Sequence, residues 1–213
     1  MISKKQWWAT GLSLLLFLLL LVGVMTNAQY ISAIDYHVLA VIQPIRSSGL
    51  DSFFIFLTQT LNEVPAIITV IIIAILVELW QHHLNYAWLL FFNCFIIAGG
   101  VNTLIKHIVN RPRPIVRHLV KVSSTSFPSG HSITSMLLGG TVIFILMQTL
   151  NQGSKRFILI TLICCWIFLI GLSRAYVHVH YPTDVLAGWS LGFVFLTLSE
   201  TAFLRLENKK RLS

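Results

Sequence analysis

Three short stretches of the chain set cations, histidines and one carboxylate at fixed spacings beside the ends of apolar runs. They are Lys106 with Arg113-Pro114, then Pro128-Ser129-Gly130-His131, then Ser173-Arg174 with His180 and Asp184. Ionisable groups in or beside membrane segments are expensive and mark function by default. The types present are those needed to hold a phosphate and attack it. His180 and Asp184 lie four apart with Pro182 between them. Proline is tolerated in a first helical turn, so a helix is predicted to begin around 181–183. One turn then separates the pair, and Asp184 can accept a hydrogen bond from one ring nitrogen of His180. That bond fixes the tautomer, frees the other nitrogen to attack and stabilises the positive charge that forms on the ring. The logic is that of a catalytic triad with histidine as the nucleophile.

The other two stretches supply the rest of such a reaction. Ser129 is a good N-cap for the apolar helix that follows, and helix N-termini offer free N–H groups and a positive dipole end to anions. Gly130 lets a phosphate approach the backbone. His131 then stands at the helix mouth, where it can donate a proton to a leaving oxygen, an effect worth roughly 10²–10⁴ in rate. Lys106, Arg113 and Arg174 can stabilise the negative charge that a phosphoryl group spreads over three oxygens in flight. Arginine can grip two of those oxygens at once. Three cations can do the work a metal does elsewhere. The carboxylates Asp35, Asp51, Glu63 and Asp184 are scattered along the chain. No metal or cofactor is therefore expected.

Composition says what must position these residues. The 213-residue chain is 56% hydrophobic and only 10% charged, and its mean hydropathy is strongly positive. That places it among integral membrane proteins, as one helical domain over 1–213 with a motif-bearing core at 106–184. The net charge of +8 falls in loops, tails and motifs. It fits anionic lipid headgroups and a phosphorylated substrate, not nucleic acid. No obligatory protein partner is evident. Cys94, Cys164 and Cys165 lie inside apolar runs and read as core or lipid-facing residues.

A bilayer-spanning helix needs about 20 apolar residues. Six runs qualify or nearly do, at about 7–26, 64–80, 84–105, 132–150, 157–173 and 183–204. The first is too long for a typical signal-peptide core and is expected to be a retained span. The second is short, and Leu50, Phe53, Phe54, Leu57 and Leu61 suggest that 50–63 extends it or lies in the interface. Residues 31–45 read as a short amphipathic helix on the membrane, with Asp35 and His37 among its apolar positions. The fold class is thus all-α: a six-helix transmembrane bundle with a short extracytoplasmic amphipathic helix. The long loop at 106–131, rich in Arg, Pro and Ser, is where function is expected.

Alternating spans bring the end of span 3, the start of span 4, the end of span 5 and the start of span 6 to one face, and all three motifs sit at those points. Lys4 and Lys5, Lys155 and Arg156, and Arg205, Lys209, Lys210 and Arg211 share the opposite face, which the positive-inside rule makes cytoplasmic. Both termini are then cytoplasmic, and the motif face is periplasmic or extracellular on the cell membrane.

Together, Lys106-x₆-Arg113-Pro114, Pro128-Ser129-Gly130-His131 and Ser173-Arg174-x₅-His180-x₃-Asp184 resemble the type 2 phosphatidic acid phosphatase superfamily. That superfamily includes lipid phosphate phosphatases and shares its site with vanadium-dependent haloperoxidases. Any one motif alone is weak; the three complete and in order are specific. The resemblance implies a phosphohistidine on His180 and an acid role for His131. It also implies phosphate contacts from Lys106, Arg113, Ser129, Gly130 and Arg174, and a site facing outward. The expected substrates are phosphatidylglycerol phosphate, undecaprenyl pyrophosphate and phosphatidic acid, with a lipid phosphotransferase or a lipid or anion transporter as rivals.

Nearby residues read more plainly. Arg111 falls outside the spacing and is expected as a solvated loop cation, a headgroup contact or a direct substrate ligand. His107 and His178 are expected to take no part in the chemistry, and His82 and His83 to sit in a tight loop on the far face. Ser173, Gly99 and Gly100 read as helix-packing residues. Glu78 and Glu200 are expected to reach the polar boundary.

Overall fold

A computed structural model of the chain describes residues 2–82 and 84–212, with side chains through Lys210. His83 and the Arg211 side chain lie outside the described residues. The helices are α1 (Lys4–Met25), α2 (Gln29–Ile42), α3 (Ser48–Gln59), α4 (Glu63–Gln81), α5 (Leu84–Phe91), α6 (Asn102–Val109), α7 (Gly130–Thr149), α8 (Ser154–Tyr176) and α9 (Pro182–Leu212). A π-helical stretch, Phe92–Val101, joins α5 to α6 into one long span. Among the described residues there is no strand, and six helices are long and apolar enough to cross a membrane. The chain is a multi-pass membrane protein.

The helix boundaries follow local chemistry. Ser3, Ser47 and Ser129 each cap a helix by accepting a hydrogen bond from a backbone N–H three residues on. Segment 50–63 does not extend the second span. It is the separate helix α3, which ends at Gln59, and Ala66 N–H bonds Asn62 O as α4 begins. Pro65 in the first turn of α4 explains the break, because it has no N–H to continue a helix through this point. α3 instead packs on α8, with the Phe54 and Tyr176 rings 4.2 Å apart. α2 lies where the amphipathic helix was expected. It buries Ile31, Asp35 and Ile42 and exposes Tyr30, Ile34, Tyr36, Val38 and Val41.

α7 is the central post, burying Ile133, Leu137, Leu138 and Ile145 against α8 and α9. The starts of α7 and α9 come close because Gly188 has no side chain; a Cβ there would sit 2.7 Å from Ser129 O. Gly99 and Gly100, in contrast, do not mediate helix packing. Both are exposed, and a Cβ at either would meet nothing within 4 Å; Gly99 faces an open groove rather than a neighbouring helix. Glu200 also departs from expectation. It is 4% exposed and accepts a hydrogen bond from Gln6 Nε2 at 2.7 Å. α9 runs on past it to Leu212, so Glu200 faces α1 inside the bundle instead of reaching the boundary. α4 is the least buried of the spans and packs mainly on α5. That leaves a groove between α4 and the π-helical stretch.

Candidate active site

α6 ends at Asn110, which adopts a left-handed conformation (φ 46°) and returns its N–H to Lys106 O at 2.9 Å. The turn sends the loop to Phe127 back over the end of the bundle where α7 and α9 begin. Lys106 Nζ donates to Thr125 O, and Thr125 Oγ1 donates back to Lys106 O at 3.3 Å. Arg113 Nε donates to Ser124 O at 2.6 Å, and its Nη1 donates to Val179 O. The same Nη1 lies 3.4 Å from His180 Nε2. The loop backbone thus anchors both cations and sets Arg113 beside the histidine.

The two helix starts are tied together. Ser129 N–H donates to Asp184 O at 3.0 Å, and Ser129 Oγ accepts from Ser132 Oγ at 2.9 Å. Gly130 packs against α6, where a Cβ would stand 2.8 Å from Asn102 Nδ2. His131 Nε2–H donates to Thr58 O at 3.1 Å. That sets the ring by α3 and leaves Nδ1 as the nitrogen available to the cavity. Arg174, in the last turn of α8, donates to Thr58 Oγ1. Its buried Nε has no protein partner, a donor placed for an anion. Arg174 O accepts the N–H groups of Val179 and His180, each at 3.2 Å, so one residue supplies a cation and holds the His180 backbone.

His180 is 2% exposed. Its Nδ1 stands 3.6 Å from Asp184 Oδ2, just beyond a hydrogen bond, and has no other partner. Apo catalytic pairs are commonly this loose and tighten around substrate. Burial pushes the His180 imidazole down to about 3; Asp184 opposes the shift, and the nearby Arg174 and Arg113 charges add to it. The ring is therefore neutral at ordinary pH, with Nε2 toward Arg113. Asp184 Oδ2 also accepts from Tyr181 N–H at 2.9 Å and from Ser126 Oγ. Its Oδ1 accepts from Arg111.

These residues meet at one end of a cleft of about 1080 Å³. Lys106, Arg113, Gly130, His131, Arg174 and His180 line that end. Ser129 and Asp184 are fully buried behind the wall, Ser129 as the cap of α7 and Asp184 beside the His180 ring. The rest of the cleft is mostly apolar, running between α4 and the π-helical stretch past Val64, Ile67, Val70, Phe95, Ala98 and Gly99.

Arg111 is not a solvated cation and does not line the cleft. Its side chain is 13% exposed and ion-paired to Asp35 at 2.7 Å and to Asp184. It also donates to Thr183 Oγ1 at 2.9 Å and stacks 4.0 Å from the Tyr181 ring centroid. Burial works against the Arg111 charge, but facing Asp184 and Asp35 outweighs it and holds the guanidinium above its ordinary value. Asp35, Thr58 and Ser126 were missed by spacing. Asp35 left one signal: it shares the inward face of α2 with Ile31. Ser173 Oγ donates to Ile170 O, a packing role, and the exposed His107 ring bonds Thr103 O. Neither these two nor His178 lines the cleft.

A family model described as the PAP2 superfamily matches residues 87–207. Phosphatidylglycerophosphatase B of Bacillus subtilis is 38% identical over 99 residues, 46% of this chain and 49% of that relative. The chain thus spans about half the length of that relative. Undecaprenyl-diphosphatase BcrC of the same organism is 30% identical over 165 residues, covering 73% of this chain and 78% of the relative. The crystal structure of a transmembrane PAP2 type phosphatidylglycerolphosphate phosphatase from Bacillus subtilis superposes with a TM-score of 0.82. It is 27% identical and covers 93% of this chain and 97% of that one. With these matches and the three motifs converging on one cleft, the chain belongs to the PAP2 superfamily.

Proposed function

We propose that the chain, acting as one domain, is a membrane lipid phosphatase that removes phosphate from a phosphomonoester or diphosphate through a phosphohistidine. The observation that carries this reading is the two-part cleft. A cationic, histidine-bearing head is continuous with a groove lined largely by apolar residues of α4 and the third span. A water-soluble phosphate would need only the head; a lipid phosphate uses both.

His180 Nε2 attacks phosphorus while Lys106, Arg113 and Arg174 neutralise the equatorial oxygens. The bond to the leaving oxygen breaks as His131 delivers a proton to it. Asp184 stabilises the cationic ring. Water then attacks phosphorus as the N–P bond breaks, and His131 takes a proton from that water, releasing phosphate and restoring both histidines. The site faces outward, with both termini in the cytoplasm. The names of the relatives support phosphatidylglycerol phosphate and undecaprenyl diphosphate as substrates to try first, with phosphatidic acid beside them. Phosphate release by purified protein in detergent, with chelator present and no added alcohol, tests the reading. Release only on adding an acceptor alcohol would make it a phosphotransferase, and no release from any of these lipids would reject both.

Two results should accompany it. Gly99→Trp fills the groove without touching the cationic head. It should raise KM for a lipid phosphate about tenfold or more, while hydrolysis of a short aryl phosphate changes far less. Equal effects on both would place the lipid elsewhere. The second concerns pH. A base whose value is depressed by burial is the active nucleophile above that value, so His180 should remain unprotonated from about pH 7 down to about pH 5. Single-turnover ³²P trapping with an alkaline quench should hold its yield over that window. A loss centred near the ordinary histidine value of 6.5 would contradict the burial of the ring.

A further inference from the structure

We infer that Asp35 and Arg111 are positioning residues for the histidine nucleophile, with Asp35 supplying the charge that keeps Arg111 from neutralising Asp184; this rests on the phosphohistidine reading above. Neither residue, nor Thr183 or Tyr181 beside them, lines the cleft, so none can act by touching substrate.

Asp35 comes from α2, outside the bundle core, yet it reaches the first turn of α9. Its Oδ1 accepts Thr183 N–H at 2.9 Å, and its Oδ2 accepts Thr183 Oγ1 at 3.0 Å and Arg111 Nη2 at 2.7 Å. Thr183 N–H is one of the amides a helix start leaves unpaired, so Asp35 caps α9 from another helix. Thr183 immediately precedes Asp184. The cap and the guanidinium therefore hold the orienting carboxylate from two sides, while Ser126 and Tyr181 N–H hold its other oxygen.

The charge count gives the arrangement its purpose. Arg111 cannot lose its proton. Facing Asp184 alone it would cancel that carboxylate and oppose the positive charge that develops on His180. Asp35 takes up the Arg111 charge on its far side. The trio keeps a net charge of minus one, and the phosphorylated imidazolium balances it. Geometry comes from Arg111, and the unspent charge on Asp184 from Asp35.

Asp35→Asn keeps the shape and removes the charge. It should lower kcat about ten- to a hundredfold, as outer-shell partners of catalytic groups commonly do. KM and inhibition by vanadate should stay within about twofold. Asp35→Glu should retain more activity than Asp35→Asn. The decisive variant pairs Asp35→Asn with Arg111→Gln. Removing both charges returns Asp184 to full strength, so the double variant should be faster than Asp35→Asn alone. It also restores the net charge of minus one that the trio carries in the wild-type chain, and so gives a second readout should the single variant fold poorly. Asp35→Asn at the wild-type rate, a double variant slower than the single one, or vanadate affinity falling in step with kcat would each overturn the inference. Trapping ³²P on the wild-type chain separates the two levels. Without trapped label the nucleophile reading fails and this inference with it. With label trapped and Asp35→Asn unimpaired, only the inference fails.

Discussion

Alanine in place of His180 should leave the protein in the membrane and without measurable turnover, with no ³²P trapped on the chain. Removing the nucleophile from a site of this kind costs on the order of 10⁶ in rate, about 8 kcal/mol of barrier. What survives is whatever the cations contribute by binding the phosphate and polarising it for direct attack by water. The neighbouring histidine cannot substitute. His178 adopts a left-handed backbone (φ 61°) and does not line the cleft. Because His180 is nearly fully buried, His180→Asn should be run beside the alanine variant as a closer match in shape. Both should bind vanadate through Lys106, Arg113 and Arg174. Normal phosphate release by either variant would remove His180 from the reaction.

The second large effect is expected at His131, and it should depend on the leaving group. With Nε2–H committed to Thr58 O, a proton for the leaving oxygen has to be carried on Nδ1. A lipid alcohol leaves badly without that proton, so His131→Ala should lower kcat on a phosphomonoester lipid about 10²–10⁴-fold. An aryl phosphate leaves as a stable phenolate and should lose much less. Measuring both substrates on one preparation separates acid catalysis from damage to the pocket. Equal losses would mean that His131 only shapes the wall, and the proton would have to come from water or from Lys106.

The motif residues were legible because their spacing is local. His180 and Asp184 are one turn apart whatever the rest of the chain does, and Ser129 caps α7 through an amide three residues away. Six apolar runs also force alternate ends onto one face. The Arg-Pro-Arg-Pro run shows where such reasoning stops. Arg111 and Arg113 are the same residue type and each precedes a proline, yet Arg113 reaches His180 while Arg111 turns toward Asp35 and Asp184. The outcome depends on a carboxylate carried by α2 and on the tilt of a loop that no periodicity describes. Glu200 and the glycine pair in the third span were misplaced for the same kind of reason, since a residue's neighbour across a helix interface depends on which faces the helices present to one another.

Composition and short-range spacing thus established a six-span membrane protein with its three motifs gathered at one end of the bundle. Covalent geometry and the bilayer's demand for satisfied backbone groups leave few alternatives at that level. Packing settled everything that joins distant parts of the chain. It set α3 beside His131 and Arg174 through Thr58, stood α4 away from the bundle to open the groove, and brought Asp35 and Arg111 together beside Asp184. Those contacts depend on interdigitating side chains and on matching buried charges across the bundle, and neither leaves a period in the sequence.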